Sequence, residues 1–184
     1  MRRLSIASTL LLALSLIALS ATHLSAQGRD TIRTIQSVPR PSVGFSGGIS
    51  VPAGGFAKPH IAGFNLAGVA EFRSANAPTG LRGEVLYQYF GRKKNVTGAE
   101  SSNTLALLVN AVYHVPGYEV GPYFIGGIGL YHISNQGNNA GLNGGAGITI
   151  PLTGMTAYAE LRIHTAFTQG PAYVTLPLSF GVLF

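Results

Sequence analysis

The last residues of the chain decide its fold: Tyr173-Val-Thr-Leu-Pro-Leu-Ser-Phe-Gly-Val-Leu-Phe184. Successive side chains of an extended strand point to opposite faces. One face of this stretch is wholly apolar, while the other carries small and polar residues such as Thr175 and Ser179. We predict a strand whose apolar face contacts lipid and directs membrane insertion, through Leu176, Leu178, Phe180, Val182 and Phe184.

The composition of the whole chain does not suit a protein surrounded by water. Among its 184 residues 10% are charged and 25 are glycine, whereas soluble surfaces want roughly a quarter or more charged residues. The chain has no cysteine, which excludes disulfides and a cysteine-linked lipid. After the N-terminal region no apolar run could span a bilayer as a helix. A closed β-barrel is the spanning structure that remains.

The N-terminal region has the features of a secretory signal peptide. Two arginines precede an apolar run from Ile6 to Leu19, and a cleavage site follows at Ala26, with Ala21 as the fallback. A membrane anchor is the alternative, but the run is short of about twenty residues. We expect a signal peptide over residues 1–26, a periplasmic lead-in over 27–41 and a barrel domain over 42–184.

The alternation of the last strand recurs along the barrel domain about every twenty residues. This repeat predicts an all-β fold, an eight-stranded antiparallel up-and-down transmembrane β-barrel with both termini in the periplasm. The first strand presents a matching apolar face, so we expect it to pair with the last. The outer connections are predicted at residues 52–60, 91–103, 133–141 and 165–172, and the inner turns at 74–80, 116–121 and 152–155.

The fifth predicted strand is the least strongly patterned. Tyr123 and Tyr131 share one face and lie eight residues apart, about 26 Å along a strand. This spacing suits two aromatic girdles at the membrane surfaces. We therefore predict that both tyrosines face lipid and that Phe124, Ile128, Leu130 and His132 face inward.

Four stretches carry a family resemblance: 122–131, 142–147, Glu160-Leu-Arg162 and 177–184. In their order and spacing they resemble the small outer-membrane β-barrel family that includes the membrane domain of OmpA, OmpX and the opacity proteins. The resemblance implies a monomeric integral protein of a Gram-negative outer membrane, inserted by the barrel-assembly machinery. It implies contact with lipid and lipopolysaccharide, a structural or surface-interaction role, and no enzymatic activity.

The charges that fall within predicted strands all lie on inward faces, three of each sign. A salt-bridge network that fills an eight-stranded interior is the favoured interpretation, and a polar relay or gate is the alternative. The residues are Glu71, Arg73, Arg82, Glu84, Glu160 and Arg162.

Two other readings of the barrel stay open. Inward Leu86, Leu108, Ile128 and Leu130 would suit a narrow channel for small or apolar solutes. A soluble periplasmic barrel of lipocalin type would instead turn the apolar faces inward.

His132 and Ser134 resemble the His-x-Ser motif of the outer-membrane lipid A deacylase. A nucleophilic serine needs a base within hydrogen-bond reach and usually a carboxylate that orients the base. Where that family has its acid this chain has Ala146, and no acidic residue occurs between Glu119 and Glu160. A polar loop end is therefore favoured over a deacylase-like enzyme, and no catalytic residue is assigned.

Arg92, Lys93 and Lys94 open the longest predicted outer loop and are candidates for contact with lipopolysaccharide phosphates. A merely solvated loop is the alternative. His60, His114 and His164 share no ligand spacing, so we expect no metal site. No cofactor motif occurs, and the net charge of +6 forms no basic stripe, so we expect no nucleic-acid partner.

Overall fold

The computed structural model describes residues 41–73, 77–118, 120–134, 136–170 and 172–184. The predicted signal peptide, its cleavage after Ala26, and the lead-in up to Arg40 lie outside these ranges, so they stay predictions.

The described residues form eight strands that close into an antiparallel barrel in sequence order. This confirms the predicted fold class. A short 3-10 turn, Gly54–Ala57, follows the first strand. The strands are β1 Ser42–Ala53, β2 His60–Arg73, β3 Thr79–Arg92, β4 Ser102–His114, β5 Gly121–Ile133, β6 Gly137–Leu152, β7 Met155–Ala166 and β8 Tyr173–Leu183.

The register of the pairing staggers the strands around the barrel. A path through directly paired residues leaves β1 at Ser42, crosses every strand once, and returns to β1 at Pro52, ten residues further on. A stagger of this size tilts the strands by about 40° and leaves an interior just wide enough for side chains. The lumen is therefore a packed space whose contents depend on the inward residues.

The seam between β1 and β8 closes the barrel as predicted. Ile49 pairs with Leu178 and Gly47 with Phe180, so the apolar faces of the two strands continue each other. Val43 and Phe184 exchange two backbone hydrogen bonds, with N to O distances of 2.8 and 3.2 Å. No sheet edge remains at the seam.

The outside of the barrel is apolar, whereas the interior holds the buried polar and charged side chains together with apolar ones such as Leu86 and Leu108. Phe45, Leu107 and Phe180 expose 62, 57 and 59% of their surface, while Asn65, Gln88 and Arg82 are almost fully buried. This distribution of apolar and polar side chains is the reverse of that in a soluble barrel. The lipocalin-type alternative is therefore wrong. Among the described residues no helix has the length and hydropathy to cross a membrane.

The prediction for β5 is wrong in its phase. Tyr123 and Tyr131 are fully buried in the lumen, whereas Phe124, Ile128 and Leu130 are 58, 64 and 44% exposed and His132 is also exposed. The rings occupy space that glycines of β6 leave free, because a Cβ on Gly147 would stand 2.5 Å from Cζ of Tyr123. An aromatic side chain suits either the membrane surface or the barrel interior. The residues packed around it therefore decide which way it faces.

Other residues form the aromatic rims that were assigned to those tyrosines. Phe64 packs against Tyr87 and Tyr89 with ring centroids 6.1 and 5.7 Å apart. Toward the other rim Phe45 lies 6.4 Å from Phe184.

The predicted loop at 133–141 is also wrong, because β5 continues to Ile133 and β6 begins at Gly137. Gly137 adopts a φ of +69°, which permits a tight turn. Asn138 and Asn139 then pair with His132 and Tyr131 as part of the ladder.

Candidate functional site in the barrel interior

Two arginines cross the lumen and bind carboxylates from different strands. Arg82 donates to Oε2 of Glu71 from Nε and Nη2, at 2.8 and 2.6 Å, and to Oε2 of Glu160 from Nη1 at 2.9 Å. Arg162 donates to Oε2 of Glu84 at 2.6 Å, and its Nε lies 2.6 Å from Oε1 of Glu160. Each of these five side chains is at most 5% exposed. We call them the ion network.

The strand register explains the ion pair between Glu71 and Arg82 but not the one between Arg82 and Glu160. Glu71 and Arg82 are direct partners on β2 and β3, and adjacent strands bring such partners into contact. Glu160 belongs to β7, so its bond to Arg82 spans the lumen. Burying these charges is tolerable because each one is paired.

Neutral groups extend the ion network to further walls of the barrel. The Tyr123 hydroxyl on β5 donates to Glu160 Oε2 at 2.7 Å. Arg162 donates to Asn143 on β6 at 3.3 Å, and Asn143 donates to Asn110 on β4 at 2.8 Å. The network therefore connects strands β2 to β7.

Of the six predicted interior charges, Arg73 lies outside the ion network. It is the last residue of β2 and is exposed, and it pairs with no carboxylate in the described part of the chain. Strand alternation assigns Arg73 to the inward face, but it lies at the rim of the barrel, where no neighbouring strand buries its side chain.

A second polar layer lies toward the mouth that carries the connections 54–59, 93–101, 134–136 and 167–172, which we call the loop mouth. Ser50 accepts from Asn65 and Gln88 at 3.2 and 2.8 Å, and Tyr173 donates to Gln88 at 3.0 Å. Sequence alternation places these residues inward, but nothing in the sequence pairs them.

Aromatic side chains cover this layer. The 3-10 turn places Phe56 in the barrel, where its ring lies 5.1 Å from Phe90 and 4.5 Å from Tyr173. His60 stacks on Phe56 at 4.2 Å and its Nδ1 lies 2.9 Å from the Phe56 carbonyl. We call Phe56, Phe90 and Tyr173 the aromatic cap, and it closes the loop mouth.

The opposite mouth, where β1 begins and β8 ends, is more open, and we call it the terminal mouth. A cavity of about 310 Å³ lies there. Its wall includes Ser42, Glu71, Arg73, His114, Thr149 and Thr156.

Comparison with known proteins rests on structure. Neither protein-family models nor curated protein sequences match the chain. Among solved structures, Neisserial surface protein A is 17% identical with a TM-score of 0.60, and the match covers 78% of this chain and 95% of that one. The chain has the fold of the small outer-membrane β-barrels. With its apolar belt, this fold identifies an outer-membrane β-barrel protein.

Two further outer-membrane barrels share the fold at low identity. The outer membrane enzyme PagL is 13% identical with a TM-score of 0.50, and the match covers 79% of this chain and 99% of that one. Ail of Yersinia pestis is 18% identical with a TM-score of 0.49, covering 79% and 99%. These likenesses concern the fold alone.

In the described part of this outer-membrane barrel, the side chains of His132 and Ser134 hydrogen-bond to different residues and not to each other. His132 is exposed and its Nδ1 lies 2.7 Å from Oδ1 of Asn138. The Ser134 hydroxyl instead donates to the Asn103 carbonyl at 2.9 Å, which joins the end of β5 to β4.

The three cations of the predicted outer loop differ in their surroundings. The Lys93 ammonium donates to the Ala57 carbonyl at 2.7 Å and thereby ties two connections of the loop mouth together. Arg92 and Lys94 are exposed. Lys58, which follows Ala57, is a third exposed cation on the adjoining connection and was not predicted. The only sequence feature that could have indicated Lys58 is its position in the predicted outer connection 52–60.

The histidines lie apart. His60 packs on the aromatic cap, His164 Nδ1 lies 3.0 Å from the Tyr131 hydroxyl, and His114 Nε2 lies 3.8 Å from Glu71. Within the described part of the chain no group of three or more His, Cys, Asp or Glu residues could hold a metal ion.

Proposed function

We propose that this outer-membrane barrel is a closed structural protein whose function lies on its surface, where the loop mouth contacts lipopolysaccharide. The observation that carries the proposal is the ion network, which fills the middle of the lumen with paired charges. The aromatic cap adds a second closure above it. Passage of solutes would require both layers to separate, which would leave buried charges without partners.

The surface role rests on the cations of the loop mouth. Lys58 and Lys94 are exposed on two connections that Lys93 ties together, and Arg92 is exposed at the end of β3. Phe64 on β2 and its neighbours Tyr87 and Tyr89 on β3 lie further from the loop mouth, and their rings face outward. Cations above an aromatic belt suit an amphiphile with phosphates above acyl chains, because ammonium and guanidinium groups bind phosphate by charge-assisted hydrogen bonds.

Planar-bilayer recording of the purified barrel tests the closed lumen. We expect insertion without sustained unitary conductance, since the ion network and the aromatic cap fill the lumen. Steady conductance steps in the wild-type protein would contradict the closed barrel and favour the narrow-channel alternative.

A binding measurement tests the surface role separately. For the variant Lys58→Gln/Arg92→Gln/Lys94→Gln we expect the Kd for purified lipopolysaccharide in detergent micelles to rise about tenfold or more. Arg73→Gln, which removes an exposed cation at the terminal mouth, is the matched control and should leave that Kd unchanged. Equal affinity of the triple variant and the wild type would rule out this surface as the lipopolysaccharide contact.

A further inference from the structure

The cavity at the terminal mouth has a charged wall of unusual composition. Its volume is about 310 Å³, and one strand, β2, contributes both an acidic and a basic residue to it, Glu71 and Arg73. The hydroxyl side chains of Ser42, Thr149 and Thr156 also line it. Residues two apart on a strand share a face and lie about 7 Å apart. The wall therefore presents a negative and a positive group side by side.

The carboxylate of Glu71 has one oxygen to spare. Oε2 accepts both hydrogen bonds from Arg82. Oε1 accepts none from a residue that the structure describes, and the ring nitrogen Nε2 of His114 lies 3.8 Å away from it. That distance exceeds a hydrogen bond. Glu71 is 5% exposed and lines the cavity, so this oxygen is a free acceptor at the edge of the cavity.

The net charge of the ion network also favours a cation bound to Glu71. Glu71, Glu84 and Glu160 oppose only Arg82 and Arg162, which leaves one negative charge more than positive ones in the ion network. Each carboxylate has an arginine partner, but Glu160 shares both arginines with Glu71 and Glu84, so the excess is a formal charge of the network and not an unpaired group. A cation held on Glu71 Oε1 would balance the network at the point where the cavity reaches it.

Arg73 determines what kind of cation fits. It is exposed at the rim of the cavity and makes no ion pair with a described residue. A simple cation would be repelled by its guanidinium, whereas a molecule that carries an anion beside its ammonium group would bind both residues.

We propose that the terminal mouth is a binding site for a small zwitterion with a primary ammonium group, which binds Glu71 Oε1, and a phosphate or carboxylate group, which binds Arg73. Thr149 on β6 and Thr156 on β7 also line the cavity. A free aminoalkyl phosphate and the ethanolamine phosphate headgroup of a lipid share this chemistry.

Titration of the isotope-labelled full-length mature barrel in detergent micelles, followed by amide NMR, tests the site. With phosphoethanolamine as the probe we expect saturable shifts confined to the ends of β2, β4 and β6 at the terminal mouth. Ethanolamine alone and inorganic phosphate alone should each bind at least about tenfold more weakly, because each satisfies one of the two charges. Comparable affinity for either fragment would overturn the zwitterion assignment.

Two variants separate binding from folding. Arg73→Gln removes an exposed side chain, so the barrel should fold normally while the Kd for phosphoethanolamine rises about tenfold. Glu71→Gln should abolish the shifts, with heat-modifiable gel mobility as the check on folding. His132→Gln, which changes an exposed side chain outside both proposed sites, is the control and should bind like the wild type. Unchanged binding by Arg73→Gln, or no saturable shift in the wild type, would overturn the proposal.

Lipid vesicles distinguish the two sources of the zwitterion. If phosphatidylethanolamine in the bilayer competes with the soluble probe and phosphatidylglycerol does not, the site takes a lipid headgroup. If neither lipid competes while the probe still binds, the site takes a soluble zwitterion.

Discussion

Arg82 is the residue on which the interior most depends, because it is fully buried and binds Glu71 and Glu160 from opposite walls. Arg82→Met keeps a long side chain but leaves these carboxylates without their shared cation. We expect a loss of about 3–5 kcal/mol in the free energy of unfolding, the usual effect of removing one partner of a buried pair. Urea unfolding of the refolded barrel, followed by circular dichroism, measures it.

Arg92→Met makes the same chemical change at an exposed position of the same strand. It should shift the urea midpoint little, since exposed charges contribute at most about 1 kcal/mol. Equal midpoints for the two variants would mean that the ion network does not stabilise the fold.

Tyr123 tests the corrected phase of β5 at the level of one hydroxyl. Tyr123→Phe removes the 2.7 Å hydrogen bond to Glu160 and should cost about 1–3 kcal/mol, because the acceptor is a buried carboxylate. Tyr113→Phe removes a hydroxyl from a residue that is 43% exposed on the outer face and should cost little. The reverse ranking in urea would return Tyr123 to the lipid face.

At the scale of elements, the seam between β1 and β8 depends on a glycine. A Cβ on Gly48 would overlap the backbone carbonyl oxygen of Leu178 on β8, whereas one on Gly68 of β2 would meet nothing within 4 Å. Gly48→Ala should therefore lower the fraction that closes, and Gly68→Ala should not. Heat-modifiable gel mobility after refolding compares them, and equal folded fractions would show that the seam can widen without loss.

For the whole molecule, the connections alternate between the two mouths, so the topology of the barrel in the membrane can be tested with two insertions. We expect an epitope placed after Thr97 to be labelled on intact cells, because the connection 93–101 belongs to the loop mouth. An epitope placed after Gly117, at the terminal mouth, should be labelled only after the outer membrane is opened. The opposite pattern would mean that the barrel is inserted upside down.

Alternation within single strands was enough to determine the fold class and the orientation of most side chains. On β2, β3 and β7 the charged residues lie at alternate positions on a single face, and a register slip of one residue would turn all of them toward lipid. The cost of exposing these charges to lipid arises within each single strand. Sequence alone therefore predicts that Glu71, Arg82, Glu84, Glu160 and Arg162 face inward. It also predicts the apolar face of β8.

Tertiary structure alone decided which inward residues meet and where the rule of alternation ends. The bond between Arg82 and Glu160 joins residues 78 positions apart, and it depends on the stagger accumulated around the barrel. Tyr123 and Tyr131 face the lumen because Gly147 and Gly141 across the ladder leave room for their rings. Arg73 shares the inward phase yet lies beyond the wall. Pattern sets the face of a charged residue, but closure of the barrel sets its partners, because only the closed sheet brings distant strands within hydrogen-bond reach.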